Sequence, residues 1–338
     1  MEQQRVYVGI DYHASFCQVC VLDEGGGVVL NGRCRSDVAA IVERASACGR
    51  VERVAIESCS GAAELGHQLV SAAGWRVSLA HPGYVRRMKS NPDKSDLADA
   101  RILADLCRAG CLPEVWLAPT FIRELRSLVR YRFRSVKERS RVKTRILGLL
   151  RDQRVIEPVE LSRWTQAWLR WLREAADLRE QTRWIVDRLL VQIDRLTEEI
   201  RASERRLEKV TAEDAVVAQL MTQPGVGPVT AWAIRAEVGV FARFRTGKQL
   251  SRYCGLSPRN ASSGQRTADA GLIRAGNPLL KTVLIQAAHR LARYQTRWKR
   301  FAQRLRARGR HGSVVAAAVA NRWVRWLFHQ MKQEQAMA

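Results

Sequence analysis

The chain has 338 residues, 46% of them hydrophobic, and carries 57 Lys and Arg against 33 Asp and Glu, a formal net charge of +24. That length is enough for two or three hydrophobic cores, and the excess cation, mostly Arg and spread along the whole length, describes a folded surface for a polyanion and not a charged tail. No apolar run approaches the roughly 20 residues of a membrane-spanning helix, and residues 1–10 read as no signal peptide, so an intracellular, cytoplasmic protein is expected.

The first third alternates strand and helix signals. Val6, Val8 and Ile10 predict a short strand closing at Asp11, and Phe16 to Leu22 a second. Asp23-Glu24-Gly25-Gly26-Gly27 reads as a hairpin turn into Val28 to Asn31. Asp37 is placed to cap a helix running to about Ala47. Arg53 to Ile56 predicts a strand ending at Glu57, followed by a helix from Ala62 and a strand near Trp75 to Ala80. Cys17-x-x-Cys20 lies inside a strand-like run and no second pair has zinc-knuckle spacing, so the eight scattered cysteines are read as reduced, partly buried thiols.

Lys94-Ser95-Asp96-Leu97-Ala98-Asp99-Ala100 opens the next helix and puts two carboxylates three residues apart on one face. Two like charges that close repel unless a cation sits between them. Taken alone, the pair is a solvated helix face. With Asp11 and Glu57 closing two predicted strands, four carboxylates are available, and Mg²⁺ wants hard oxygen ligands with substrate phosphate or water completing its shell. Three hairpin-like strands followed by alternating helices and strands match the order of a ribonuclease-H-like domain, in which acids at adjacent strand ends meet a late helix.

From about Thr120 to Val210 the chain reads as almost wholly helical, rich in Arg and nearly free of Gly. Val186, Leu189, Ile193, Leu196, Ile200, Leu207 and Val210 keep a three-four spacing interrupted at Ser203, which predicts a short coiled coil. Either the helix packs on its own domain or it pairs with another chain, and the Glu and Arg crowding its flanks favour the second. The basic helices from Phe121 to Arg154, with Arg134, Lys137, Arg141 and Lys143, are candidates to carry a nucleic-acid backbone.

Gln223-Pro224-Gly225-Val226-Gly227-Pro228 marks a compositional break. A Gly-x-Gly turn between helices lets backbone N–H groups approach a phosphate at Gly225 and Gly227, as in a helix-hairpin-helix element, although the segment taken alone reads first as a plain tight turn with no ligand. Gly255-Leu256-Ser257-Pro258-Arg259-Asn260-Ala261-Ser262-Ser263-Gly264 is a polar loop with Arg259, Arg266 and Arg274 near its serines. Such composition usually means a turn. A loop serine among arginines can also attack a phosphodiester if its proton is taken up. Asn277-Pro278 then starts a helix as an N-cap and first-turn proline. Trp323, Trp326 and Leu327 form an apolar stripe in the last helix.

Gly9-Ile10-Asp11, Glu57-Ser58, Lys94-Ser95-Asp96-x-x-Asp99-Ala100, Pro224-Gly225-Val226-Gly227-Pro228, Gly255-Leu256-x-Pro258 and Ser263-Gly264 occur in this order over nearly the whole chain. Together they resemble the insertion-sequence "one-ten" family of transposases, the bridge-RNA-guided DEDD recombinases. The resemblance implies an α/β RuvC-like, ribonuclease-H-like N-terminal domain at residues 1–118, a basic helical and coiled-coil region at 119–212, and a mostly α-helical C-terminal transposase domain at 213–338. It implies Mg²⁺ ligation by Asp11, Glu57, Asp96 and Asp99. It also implies a serine nucleophile forming a covalent phosphoserine link to DNA, assigned to Ser263 because it directly precedes Gly264, with Ser262 as the alternative. In that family a non-coding guide RNA pairs with donor and target DNA, and the metal domain of one protomer meets the serine loop of another. A homodimer assembling to a tetramer is therefore expected, acting at the bacterial nucleoid. Ser58-Cys59-Ser60-Gly61-Ala62 departs from the family pattern of Thr followed by an aromatic. Two other classes fit the residues: a junction endonuclease that uses water as nucleophile, and a non-catalytic nucleic-acid-binding protein.

Overall fold

Val6, Val8 and Ile10 alternate with Tyr7 and Gly9, and this period of two builds the first strand, β1 (Arg5–Tyr12). The computed structural model describes residues 4–88, 95–260 and 269–335, and the chain divides into two compact units, Met1–Pro119 and Thr120–Ala338.

In the first unit β1 is followed by β2 (Phe16–Asp23), β3 (Val28–Arg35), α1 (Val38–Ser46), β4 (Arg50–Glu57), α2 (Ala62–Ala73), β5 (Val77–Ala80), α3 (Pro82–Met88), α4 (Asp96–Arg108) and β6 (Glu114–Val115). The strands form one sheet in the order β3-β2-β1-β4-β5-β6. β1, β2 and β3 are an antiparallel meander, and β4 and β5 run parallel to β1 and to each other. This mixed sheet is compatible with the ribonuclease-H-like order expected from the sequence. β3 runs four residues past the predicted end at Asn31, because its pairing with β2 continues to Phe16 opposite Arg35. Asp37 caps α1 as expected, its Oδ1 accepting from the Ala40 N–H at 2.8 Å.

Both faces of the sheet are covered. One carries Val6, Val8, Ile10, Cys17, Val19 and Val21 against Ile41 and Ala45 of α1 and Ala62, Leu65 and Leu69 of α2. On the other face Cys20 and Leu22 meet Ala100 and Ala104 of α4. Cys17 and Cys20 thus sit in opposite layers and cannot chelate one ion together; all eight thiols are unpaired.

The second unit holds α5 (Thr120–Asp152), α6 (Gln166–Glu174), α7 (Glu180–Val210), α8 (Ala215–Met221), α9 (Pro228–Val238), a 3₁₀ turn at Phe241–Arg243 and α10 (Gly247–Tyr253). The short hairpin β7 (Pro258–Asn260) and β8 (Asp269–Leu272) follows, then α11 (Pro278–Tyr294), α12 (Thr296–Ala307) and α13 (Gly312–Gln335). Its main core gathers Trp232 and Ile234 of α9, Leu284 and Leu291 of α11 and Trp323 and Phe328 of α13, and Leu125, Val129 and Leu207 of the two long helices enter it.

α5 and α7 are each about 50 Å long at 1.5 Å per residue. They lie antiparallel: Arg132 pairs with Glu204, while at the far end Gln153 bonds Thr182. The heptad seam predicted for an intermolecular coiled coil has an intrachain partner. Val186, Leu190 and Ile193 of α7 pack with Val142, Ile146 and Leu150 of α5 and with Trp168 and Leu172 of α6. Leu190 takes the buried position expected of Leu189, while Val186, Ile193, Ile200 and Leu207 are buried at the seven-residue spacing predicted. Ser203, the interruption, is buried too, its hydroxyl satisfied by the Ile200 carbonyl at 2.7 Å.

Candidate active site

Asp11 stands near the carboxyl end of β1, and Glu57 is the last residue of β4. The strands are parallel with Ile10 opposite Ile56, so the next residue of each, Asp11 and Glu57, comes off neighbouring strand ends. Asp96 and Asp99 occupy the first turn of α4. What lets α4 reach the end of β1 is Gly9: a Cβ there would lie 2.1 Å from the Ala100 carbonyl oxygen and 2.4 Å from the Ala104 nitrogen. Helix backbone therefore rests directly on strand backbone.

The convergence is tight. Ligand atoms of Asp11, His13 and Asp96 all lie within 4.8 Å of one another. His13 Nε2 is 3.3 Å from Asp11 Oδ2 and 3.8 Å from Asp96 Oδ1, and Arg33 Nη2 donates to Asp96 Oδ2 at 3.0 Å. Burial holds the Asp11 carboxyl above its ordinary pKa; His13 opposes this, and the charges of Asp99 and Asp96 add to it. Asp99 is almost fully buried. Glu57 and Asp11 join partial burial in pushing up the Cys59 thiol.

His13 and Arg33 were not singled out in the sequence, yet they face the acids. The signal for His13 was its place two residues after Asp11, which puts both on one side of an extended chain. Arg33 arrives through the pairing of Gln18 with Arg33 in the β2–β3 ladder, which composition does not reveal.

The proposed nucleophiles Ser263 and Ser262, and Arg266, lie outside the described residues, between β7 and β8. Arg259 on β7 and Arg274 just after β8 are exposed at the two ends of that segment. Gly225 has φ +82°, and Gly227 caps α9 with Pro228 in its first turn, so the Gly-x-Gly motif does form the turn between α8 and α9. A Cβ on Gly225 would meet the Leu291 side chain at 2.8 Å.

Of the basic residues predicted on α5, Arg134, Lys137 and Arg141 line an open groove of about 780 Å³ with Arg195 of α7; Glu138 and Glu199 also border it. Lys143 does not: its ammonium lies over the Trp164 ring, 4.6 Å from the centroid, and burial lowers its pKa.

Two family sequence models match in chain order. The DEDD transposase model of the IS110 type covers residues 8–154, and that of the transposase IS116/IS110/IS902 family covers residues 217–303. The chain belongs to the IS110 family of transposases. This transposase is 28% identical over 294 residues to the transposase for insertion sequence element IS1111A of Coxiella burnetii, covering 85% of this chain and 78% of that one. It is 29% identical over 293 residues to a probable family 20 transposase of Pseudomonas aeruginosa, covering 83% and 84%. To the transposase for IS1328 of Yersinia enterocolitica it is 28% identical over 283 residues, covering 80% and 81%. As a member of this family it acts on DNA. The transposase carries all four acids inside the first matched span, and Gly225, Gly227, Ser262 and Ser263 inside the second. Among the described residues, no helix is long and apolar enough to cross a membrane.

Proposed function

We propose that this transposase is a site-specific, RNA-guided DNA recombinase that cuts and rejoins strands through a phosphoserine intermediate with Mg²⁺ at its acidic site. The observation that carries the reading is the convergence of Asp11 and Asp96 with Asp99 at one end of the sheet. Carboxylate oxygens are the hard donors a divalent cation takes, so the donor set fits; Asp11, Glu57, Asp96 and Asp99 would hold it. When bound, the ion would neutralise the scissile phosphate and favour in-line displacement there. Arg33, already paired with Asp96, is placed to bond a phosphate oxygen at the same site.

In the reaction proposed, the hydroxyl of Ser263, or of Ser262, attacks phosphorus and a deoxyribose oxygen leaves with the proton. One phosphodiester is exchanged for a phosphoserine ester. Attack by a new deoxyribose hydroxyl reverses the exchange and restores the serine, so no ATP is consumed. The basic groove on α5 and α7, with Arg259, Arg274 and the turn at Gly225 and Gly227, supports a role in holding nucleic-acid backbone, leaving base sequence to be read by pairing with a guide RNA. The working form is a homodimer that pairs into a tetramer in the bacterial cytoplasm.

The test is a denaturing gel for a covalent protein–DNA adduct. The protein is co-expressed with the non-coding DNA flanking its gene and given labelled element ends and Mg²⁺. An adduct lost with Ser263→Ala and Asp11→Ala but kept with Ser262→Ala is the expected result. Cleavage without an adduct, indifferent to both serine changes, overturns the serine mechanism in favour of water as nucleophile.

A further inference from the structure

The imidazole of His13 is held in place from several sides. Its backbone N–H donates to the Phe16 carbonyl at 3.0 Å, and Ser36 Oγ donates to its own carbonyl at 2.8 Å. The ring stacks on Phe16 with centroids 4.5 Å apart and planes 25° from parallel. The Arg33 guanidinium also lies over Phe16, 4.5 Å from the centroid. Arg33 takes Asp96 Oδ2, while Asp96 Oδ1 is the oxygen nearest His13 Nε2. One imidazole nitrogen thus faces one oxygen from each of two carboxylates, all three on preorganised supports.

His13 Nε2 is within hydrogen-bond reach of Asp11 Oδ2 at 3.3 Å but beyond it, at 3.8 Å, from Asp96 Oδ1, and both are longer than the roughly 2.7–2.9 Å of a closed charge-assisted bond. Ligands at about 2.1 Å on adjacent corners of an octahedron stand about 3 Å apart. The three atoms already lie within 4.8 Å of one another, so closing to that spacing around a common centre asks for no more than about 2 Å. The donor set also differs from an all-oxygen one. Imidazole suits Zn²⁺, Cu²⁺, Fe²⁺ and Ni²⁺ best; Mn²⁺, at the weak end of that first-row order, shares the carboxylate preference of Mg²⁺ but accepts a nitrogen ligand more readily than the hard Mg²⁺ ion, which takes oxygen.

We propose that His13 Nε2 is a ligand of the ion held by Asp11 and Asp96, making a mixed nitrogen–oxygen site that binds Mn²⁺ more tightly than Mg²⁺. This rests on the reading of the acids as a metal site. Asp11 and Asp96 supply the oxygens common to both ions; His13 supplies the discrimination between them. Arg33 keeps Asp96 monodentate by engaging its second oxygen.

The test is direct binding to the full-length, metal-free protein with no histidine tag, since the chain has six histidines of its own. Mn²⁺ is titrated while free aquo-ion is followed by electron paramagnetic resonance, and pulsed spectra of the bound ion are searched for imidazole ¹⁴N coupling. Wild-type protein should show that coupling. His13→Gln should lose it and bind Mn²⁺ about tenfold or more weakly, with Mg²⁺ affinity within about twofold, the scale expected when a metal site loses a supporting group. Bound Mn²⁺ without nitrogen coupling, or coupling that survives His13→Gln, overturns the assignment even if the variant folds poorly, because the first result needs only wild-type protein. Mn²⁺ binding lost in Asp11→Asn but unchanged in His13→Gln overturns the role of His13 and leaves the carboxylate site standing. Absent binding, or binding indifferent to Asp11→Asn, removes the metal reading and this proposal with it.

Discussion

Glu237 on α9 is the most consequential charge of the second unit. It is 1% exposed, and Arg130 of α5 grips both its oxygens, at 2.7 and 2.9 Å. Arg126 stands 3.6 Å away, and Asn277, the N-cap of α11, donates Nδ2 to it at 2.7 Å. One carboxylate therefore joins three helices, and Asn277 lies five residues beyond the end of β8. Glu237→Gln keeps the volume and an acceptor but removes the charge, setting an amide N–H₂ against cations. Breaking a buried pair from one side costs about 3–5 kcal/mol. Arg130 is half exposed and regains water when released, so the lower end, about 3 kcal/mol, is expected. For a unit of roughly 220 residues each kcal/mol moves the midpoint by about 2–4 °C, giving a fall of about 6–12 °C. Differential scanning calorimetry of the full chain measures it, with Glu198→Gln as control: that carboxylate pairs with Arg205 in open solvent and should leave the transition in place. A Glu237→Gln shift below about 2 °C would refute the claim that this network ties the helices together.

The close approach at Gly9 makes a second prediction: Gly9→Ala drives a methyl into the α4 backbone, costs about 3 kcal/mol in thermal unfolding of the first unit and weakens Mn²⁺ binding; a melt like that of wild type would mean α4 can slide. Replacing Arg134, Lys137 and Arg141 by Gln should flatten the log–log salt dependence of duplex binding, followed by fluorescence anisotropy, by up to about 2.7, at 0.9 per phosphate contact. Lys143→Gln, whose ammonium sits over Trp164, should leave that slope unchanged, and an equal effect from both sets would discard the groove. Thiol labelling at pH 7.5 should find exposed Cys59 and Cys111 first, then half-buried Cys34 and Cys48, with Cys17, Cys20, Cys107 and Cys254 reacting only on unfolding. Burial pushes Cys20 and Cys107 up to about 11. The unfolded chain then sheds these protons from about pH 8.5 while the folded one keeps them, so stability should fall as pH climbs from there towards 11; a flat urea midpoint over that range would count against their burial.

Much of the first unit was readable because its signals are local. A period-two run at Val6–Ile10, a nearly continuous apolar run at Phe16–Leu22, a Gly-rich turn and an Asp cap each state their element within a few residues, and acids at strand ends follow. Signals that depend on a partner were not readable. The α7 seam announced that something would cover it, but the partner turned out to be α5, some sixty residues away in sequence. Arg33 needed the register of β3 on β2, and the reach of α4 needed Gly9. Glu237 did leave a trace, as a lone carboxylate near the end of Ala-Trp-Ala-Ile-Arg-Ala-Glu-Val; the one cation of that helix, Arg235, pairs with Asp214, so the counter-charge of Glu237 comes from another helix.

Gly9 also explains why the acids could be ordered from sequence but not placed. Asp11 is oriented by the strand pleat, whereas Asp96 and Asp99 are oriented by a helix that belongs to no strand. Only the distance between those two backbones brings Asp96 to Asp11 and His13. With a Cβ at position 9 the helix must lift off the strand, and Asp96 Oδ1 moves away from His13 Nε2 while every acid remains present. Gly-Ile-Asp is thus a geometric statement as well as a chemical one: the glycine sets how near α4 comes, and the aspartate two residues later uses that nearness.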